Sequence, residues 1–179
     1  MDDGVAVLRA DAQRNYDRLI HTATTIFEVQ GASATLESIA KGAGVGIGTL
    51  YRHFPTRRAL LEAVYADRVA KLVARVPSLL QKMSPDKALL SWLEMTVDYS
   101  LQYGGFSGLL EVASKEKDSP ITSAGSQLLT KAQEAGLLRN DVTMVDLLRL
   151  INGIVVDIAP EDVKRTNTLV SVIITGLKT

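Results

Sequence analysis

Between Tyr16 and Leu177 the apolar residues recur three and four positions apart almost without interruption. That spacing fits one face of an α-helix and misfits the two-residue alternation of a strand. Tyr16, Leu19, Ile20, Ala23, Ile26 and Phe27 set the first stripe, which Gly31 closes as a left-handed cap. Thr35 then reads as the N-cap of a short helix, with Glu37 in its first turn; Leu36, Ile39, Ala40 and Ala43 form its buried side and Gly44 ends it. Thr56 caps a longer helix whose Leu60, Leu61, Val64, Leu72 and Val76 face inward until Pro77. Ser84-Pro85 and Ser119-Pro120 are two further starts, each an N-cap followed by proline at the first helical position. An apolar helix ends near Tyr103-Gly104-Gly105, and a shorter one runs from Phe106 to about Lys115. Gly136 terminates the helix of Ile121, Leu128, Leu129 and Ala132; Asp141 or Thr143 begins another, and Pro160 the last. The run LVSVIITGL, Leu169 to Leu177, has the β-branched content of a buried strand. No second strand-like segment exists for it to pair with, so it reads as helix. The expectation is an all-α chain of about nine helices.

Composition removes several function classes. The 179 residues contain no cysteine, which excludes a disulfide framework and a thiolate metal site and agrees with a cytoplasmic location. The segment MDDGVAVLRADAQRN is acidic and lacks the apolar run of a secretory signal. No stretch approaches the roughly 20 apolar residues of a membrane span. Lys+Arg and Asp+Glu both number 20, so net charge names no partner. The distribution says more: Arg9 to Lys71 holds nine Lys/Arg against six Asp/Glu, whereas residues 73 to 179 hold eleven against twelve.

That basic excess surrounds GVGIGTLYRHF, Gly44 to Phe54. Gly44 stands where two short helices must reverse direction, and glycine takes positive φ without steric cost. Ala40 lets the two helices approach, and Ile47, Leu50 and Phe54 share the face that anchors the second to the first. Gly48, Thr49, Arg52 and His53 are left facing outward, with Tyr51 at the edge. A surface that is cationic, hydrogen-bonding and small at its N-terminal end suits a helix entering a major groove. Gly46 and Gly48 allow close backbone approach, Thr49 and Arg52 reach base edges, and Tyr51 and His53 bond to phosphate oxygens. Thr56-Arg57-Arg58 offers two guanidinium groups and free N–H groups to another phosphate, with Arg9, Arg14 and Arg18 upstream. The plainer alternative makes Gly44 an ordinary helix terminator and Tyr51/His53 a surface pair.

The stretch TLESIAKGAGVGIGTLYRHFPTRRALLEAV, Thr35 to Val64, closely resembles the DNA-binding signature of the TetR family of bacterial transcriptional regulators. The likeness reaches back over the first helix, covering roughly residues 12 to 70. AQEAGLLRNDVTMVDLLRLINGI, Ala132 to Ile154, looks like the segment before the penultimate helix of such regulators. The resemblance implies a helix-turn-helix domain over residues 9–55 and a ligand-binding and dimerisation domain over 56–179, with 56–76 the connecting helix. It also implies DNA roles for Thr35, Gly46, Gly48, Thr49, Tyr51, His53 and Arg57, and a palindromic double-stranded operator read by a homodimer. Two positions depart from the pattern: Gly46 stands where many relatives have serine, and Ile47 where some have a polar base-reading residue.

In the larger half, Met95, Tyr99 and Tyr103 fall at i, i+4, i+8 beside a second stripe of Leu89, Leu93, Val97 and Leu101. Such a helix lies in the middle of a bundle. Trp92, Met95, Tyr99, Tyr103 and Phe106 are either core or the lining of an apolar effector pocket with tyrosine hydroxyls as orienting groups. With no charged cluster nearby, an uncharged hydrophobic or aromatic effector is expected. The last two helices carry wider apolar stripes than one packing face needs: Leu148, Ile151, Val155 and Ile158 on one, Val170, Ile173, Ile174 and Leu177 on the other. That surplus suggests an isologous interface, unless both faces are buried within one chain. For catalysis the chain offers no nucleophile–base constellation and no metal or cofactor motif. Glu94 and Asp98 read as a solvated helix face. A helical ligand carrier without DNA binding is the other reading, opposed by the intact Thr49, Tyr51, His53 and Arg57.

Overall fold

The computed structural model describes residues 3–102, 119–157 and 162–179. They form eight α-helices: α1 Asp3–Gln30, α2 Leu36–Gly42, α3 Ile47–His53, α4 Arg57–Lys82, α5 Pro85–Gln102, α6 Pro120–Glu134, α7 Met144–Asp157 and α8 Val163–Gly176. Among the described residues there is no strand, only an isolated antiparallel bridge between Leu138 and Lys178. The expected helix from Phe106 to Lys115, together with Tyr103, Phe106 and Ile158, lies outside the described residues. Among the helices of the described residues, none is long and apolar enough to cross a membrane.

The caps follow the residue chemistry. Thr35 accepts the Ser38 N–H at 3.1 Å at the start of α2. Ser119 accepts from the Thr122 N–H at 3.2 Å ahead of Pro120, the first residue of α6. At α7, Thr143 and Asp146 cap reciprocally: the Thr143 N–H donates to Asp146 Oδ2 at 3.0 Å and the Asp146 N–H to Thr143 Oγ1 at 3.3 Å. The Thr143 hydroxyl also donates to Asp146 Oδ2 at 2.6 Å, and this bond, then that from the Thr143 N–H, holds the Asp146 carboxyl below its ordinary value. Thr143 is thus the start, while Asp141 pairs with Arg139. The final helix begins later than Pro160, with Asp162 accepting the Arg165 N–H at 3.1 Å.

Helix α4 corrects one expectation. It continues through Pro77 to Lys82 rather than stopping there. Proline removes one N–H and crowds the carbonyl of Val73; both residues are exposed, so water reaches that carbonyl. Val76 and Leu79 are buried on the opposite side, which offsets the lost bond, and Ser78 Oγ donates to the Arg75 carbonyl at 2.9 Å.

The chain falls into two compact units, Met1–Asp67 and Arg68–Thr179. Their boundary lies inside α4, within residues 56–76, the expected connecting helix. In the first unit, Leu19, Ala23, Phe27, Ile39, Leu50, Phe54 and Leu60 form the core. In the second, Trp92 is fully buried on α5 and its Nε1–H donates to the Leu72 carbonyl at 3.0 Å. α6 crosses close to it at Gly125, where an added Cβ would lie 2.9 Å from Trp92 Cζ3 and 2.7 Å from Met144 Sδ. Buried Thr96 and Ser100 donate to the carbonyls four residues back, at 2.8 and 2.9 Å, so their hydroxyls stay satisfied inside the bundle.

Two sequence expectations change in this second unit. Leu148, Ile151, Val155, Val170, Ile174 and Leu177 are buried within the single chain, and Ile173 is half-buried. These stripes therefore serve first as the unit's own core. The open apolar positions are their neighbours Leu150, Val156 and Val172, at 53%, 67% and 61% exposure. Glu94 and Asp98 are half-buried rather than solvated. Asn167 donates to Asp98 at 3.4 Å, and burial, then the Asp98 charge, raises the Glu94 carboxyl above its ordinary value.

Candidate nucleic-acid interface

The turn between α2 and α3 is built by its backbone. Gly44 takes φ 65°, its N–H donates to the Lys41 carbonyl at 3.1 Å, and the Val45 N–H reaches back to Ala40 at 3.0 Å. This pair of bonds satisfies the last carbonyls of α2 while the chain reverses. Gly46 follows in an extended conformation as the N-cap of α3, and its carbonyl accepts from the N–H groups of Thr49 and Leu50 at 2.9 and 3.2 Å. With only seven residues, α3 spans about two turns and can bury one face. Leu50, fully buried, and Phe54, 3% exposed, hold that face.

Ile47 does not share the anchoring role expected of it. It is 39% exposed, at the front of α3, because the first turn projects past the core. The anchor is completed instead by Tyr16 of α1, whose ring centroid lies 5.1 Å from Phe54. Gly42 is not singled out by the sequence: a Cβ there would meet Thr22 Cγ2 at 2.9 Å, so it shares with buried Ala40 the task of letting helices approach. Neither Tyr16 nor Gly42 carries a local signal of these contacts, since the partners are distant in sequence.

The outward side of α3 brings most of the expected residues together. Gly46, Gly48, Tyr51 and Arg52 are exposed and Thr49 is half-buried. An added Cβ at Gly46 or Gly48 meets nothing within 4 Å, so no intramolecular contact demands glycine at either position. His53 is half-buried, its ring 6.0 Å from Tyr16 in an edge-on arrangement. Thr35 is exposed at the start of α2 with its hydroxyl engaged as the cap. Arg14 sits apart, on the exposed side of α1, paired with Asp11.

The two arginines expected at the start of α4 diverge. Arg58 is 85% exposed and pairs with Glu62 at 2.7 Å, a surface pair within one helix. Arg57 turns the other way: its Nη1 donates to the Ala34 carbonyl and its guanidinium lies 5.3 Å from the centre of the Phe27 ring.

In the second unit, the described members of the expected effector set occupy different environments. Trp92 is core, while Met95 and Tyr99 are half-buried. The Arg68 guanidinium, itself buried, stacks 4.4 Å from the centre of the Tyr99 ring. The stripe is therefore not remote from charge. A separate open groove of about 840 Å³ between α5 and α8 is lined by Glu94, Lys164, Asn167, Thr168, Ser171, Val172 and Thr175, none of them expected as ligand residues.

Known proteins resemble this chain over most of its length. Residues 19–64 match the family described as Bacterial regulatory proteins, tetR family, and residues 84–179 match Transcriptional regulator SbtR-like, C-terminal domain. The HTH-type transcriptional regulator UidR of Escherichia coli K12 is 26% identical over 176 residues, 88% of each chain. Two crystal structures are 34% identical to this chain. The TetR transcriptional regulator SCO0520 from Streptomyces coelicolor has a TM-score of 0.71 over 91% of this chain and 98% of its own. A TetR regulatory protein from Mycobacterium vanbaalenii has a TM-score of 0.67 over 96% and 99%. Cap, turn, reading helix and C-terminal bundle agree with both matches, and the chain belongs to the TetR family of DNA-binding transcriptional regulators.

Proposed function

We propose that this regulator is a cytoplasmic homodimeric repressor that leaves a palindromic operator when a small apolar or aromatic effector binds its second unit. The observation that carries the reading is the outer side of α3, where exposed Gly46, Gly48, Tyr51 and Arg52 stand over a helix held by buried Leu50. Arg52 and Thr49 take base edges in the major groove, Tyr51 and His53 take phosphates, and the two glycines let backbone N–H groups come close. Arg14 from α1 and Thr35 from the start of α2 would add further contacts to the DNA backbone. A second copy would cover Leu150, Val156 and Val172, apolar side chains that a lone chain leaves in water. Two reading heads related by a two-fold axis then meet half-sites about one helical turn or more apart.

The effector would sit along α5 at Met95 and Tyr99, which are half-buried, while Trp92 on the same helix is core. Ligand and operator favour different conformations, so each weakens the other's binding by the same factor. The decisive experiment selects bound sequences from random duplex DNA and then titrates the selected operator in salt. A palindromic site, and an Arg52→Ala protein with weaker and less sequence-selective binding, are expected. Selection of no sequence, or unchanged selectivity in Arg52→Ala, would sink the reading.

A further inference from the structure

Arg57 occupies a place in the fold that its position at a helix start does not suggest. Its Nη1 donates to the Ala34 carbonyl across 23 residues of sequence. The enclosed segment contains all of α2, the Gly44 turn and all of α3. Ala34 is 1% exposed and immediately precedes Thr35, the N-cap of α2. The guanidinium also lies against Phe27, in the last turn of α1, whose ring is 2% exposed. One half-buried side chain thus touches the end of α1, the entry to α2 and the start of α4. A planar guanidinium suits this task because it can stack on a ring with its face while donating from its edge, whereas an ammonium cannot do both.

We propose that Arg57 is a positioning residue that closes the helix-turn-helix segment at its base, and not a direct contact to operator phosphate. Fixing the two ends of the segment restricts the loop they bound, so α3 meets DNA in one orientation. Arg57 therefore acts on DNA through the placement of Gly46, Gly48 and Arg52. This reading rests on the DNA-binding function of the family and on no assumption about effector or dimer.

The two roles separate in a salt titration. Each phosphate contact contributes about 0.9 to the slope of log affinity against log salt, and a lysine supplies that contact nearly as well as an arginine. A closing residue contributes nothing to the slope, and lysine does not replace it. Arg57→Lys is accordingly expected to bind the selected operator about tenfold more weakly, with the parental slope retained. Amide exchange should quicken at Thr49 and Leu50 in the free protein. Phe27→Leu keeps every charge but removes the ring face, and should show the same pattern: weaker binding, unchanged slope. Both proteins are assayed below their melting temperatures, so that unfolding does not pass for lost affinity. Parental affinity in Arg57→Lys, or a slope reduced by about 0.9 in Arg57→Ala, would overturn the proposal. Parental affinity and exchange in Phe27→Leu would do so independently.

Discussion

The outer side of α3 and the outer sides of α7 and α8 are all helix surfaces left open to water, yet they differ in kind. α3 presents glycines, Tyr51 and Arg52, groups that can approach a charged backbone and donate to it. α7 and α8 present Leu150, Val156 and Val172, which gain nothing from a phosphate and favour an apolar partner. The difference comes from helix length and surroundings. A seven-residue helix pinned by one buried leucine leaves most of its circumference available. The fourteen-residue α7 and α8 bury a full stripe within the chain and leave only its margin. The residues proposed to meet DNA in the first unit are thus ones the core does not use. In the second, the core consumes most of the residues that look functional.

The sharpest test of that contrast is truncation on each side. Trp92→Ala should destabilise the protein by about 3–5 kcal/mol, because it removes a fully buried ring and the bond to Leu72. Tyr51→Ala, at a 45% exposed site, should change stability by no more than about 0.5 kcal/mol while weakening operator binding. Denaturant unfolding of both proteins decides; equal losses would mean the two sites are not different in kind.

Gly48→Leu should lower operator affinity about tenfold or more while leaving melting unchanged or slightly raised. A Cβ there meets nothing within the chain, and leucine is the better helix former. Were affinity to survive a leucine at this position, clearance toward DNA would not be the reason for glycine. Val172→Glu should shift the monomer–dimer equilibrium toward monomer, read by sedimentation at several concentrations. An unchanged equilibrium would move the interface away from α8.

The smallest effect expected is at Glu94. Burial raises its carboxyl in the folded chain, so the folded state holds the proton to higher pH than the unfolded state does. Stability from this group is therefore complete below the ordinary carboxylate range and is lost as pH rises through the folded value. Glu94→Gln removes the penalty and should melt slightly higher than the parent at pH 7, with the difference vanishing near pH 3. The opposite sign at pH 7 would show the Glu94 charge to be favourably held.

Much of this was legible in the residues because the relevant forces are local. Helix periodicity, the Thr35 and Ser119 caps and the Gly44 turn each depend on a few neighbouring positions and each appears as expected, while of Asp141 and Thr143 it is Thr143 that caps. The exposure of Gly48 and Arg52 was likewise readable, since the face opposite Leu50 is set by helix geometry alone, with Thr49 and Tyr51 at its flanks and Gly46 at the N-cap. Other assignments depend on distant partners and could not be read. Ile47 looks like an anchor until the core is seen to stop at Leu50. Leu148, Ile151 and Val170 look like surplus surface until the bundle closes over them. Arg57 shares its basic character with Arg58, but only the positions of Ala34 and Phe27 turn it inward. The sequence by itself determined the helices, their ends and the chemistry along each face, because hydrogen bonding and side-chain spacing act within a few residues. Which apolar stripe became core, and which cation became part of the scaffold, was decided by tertiary structure, because burial depends on what packs alongside.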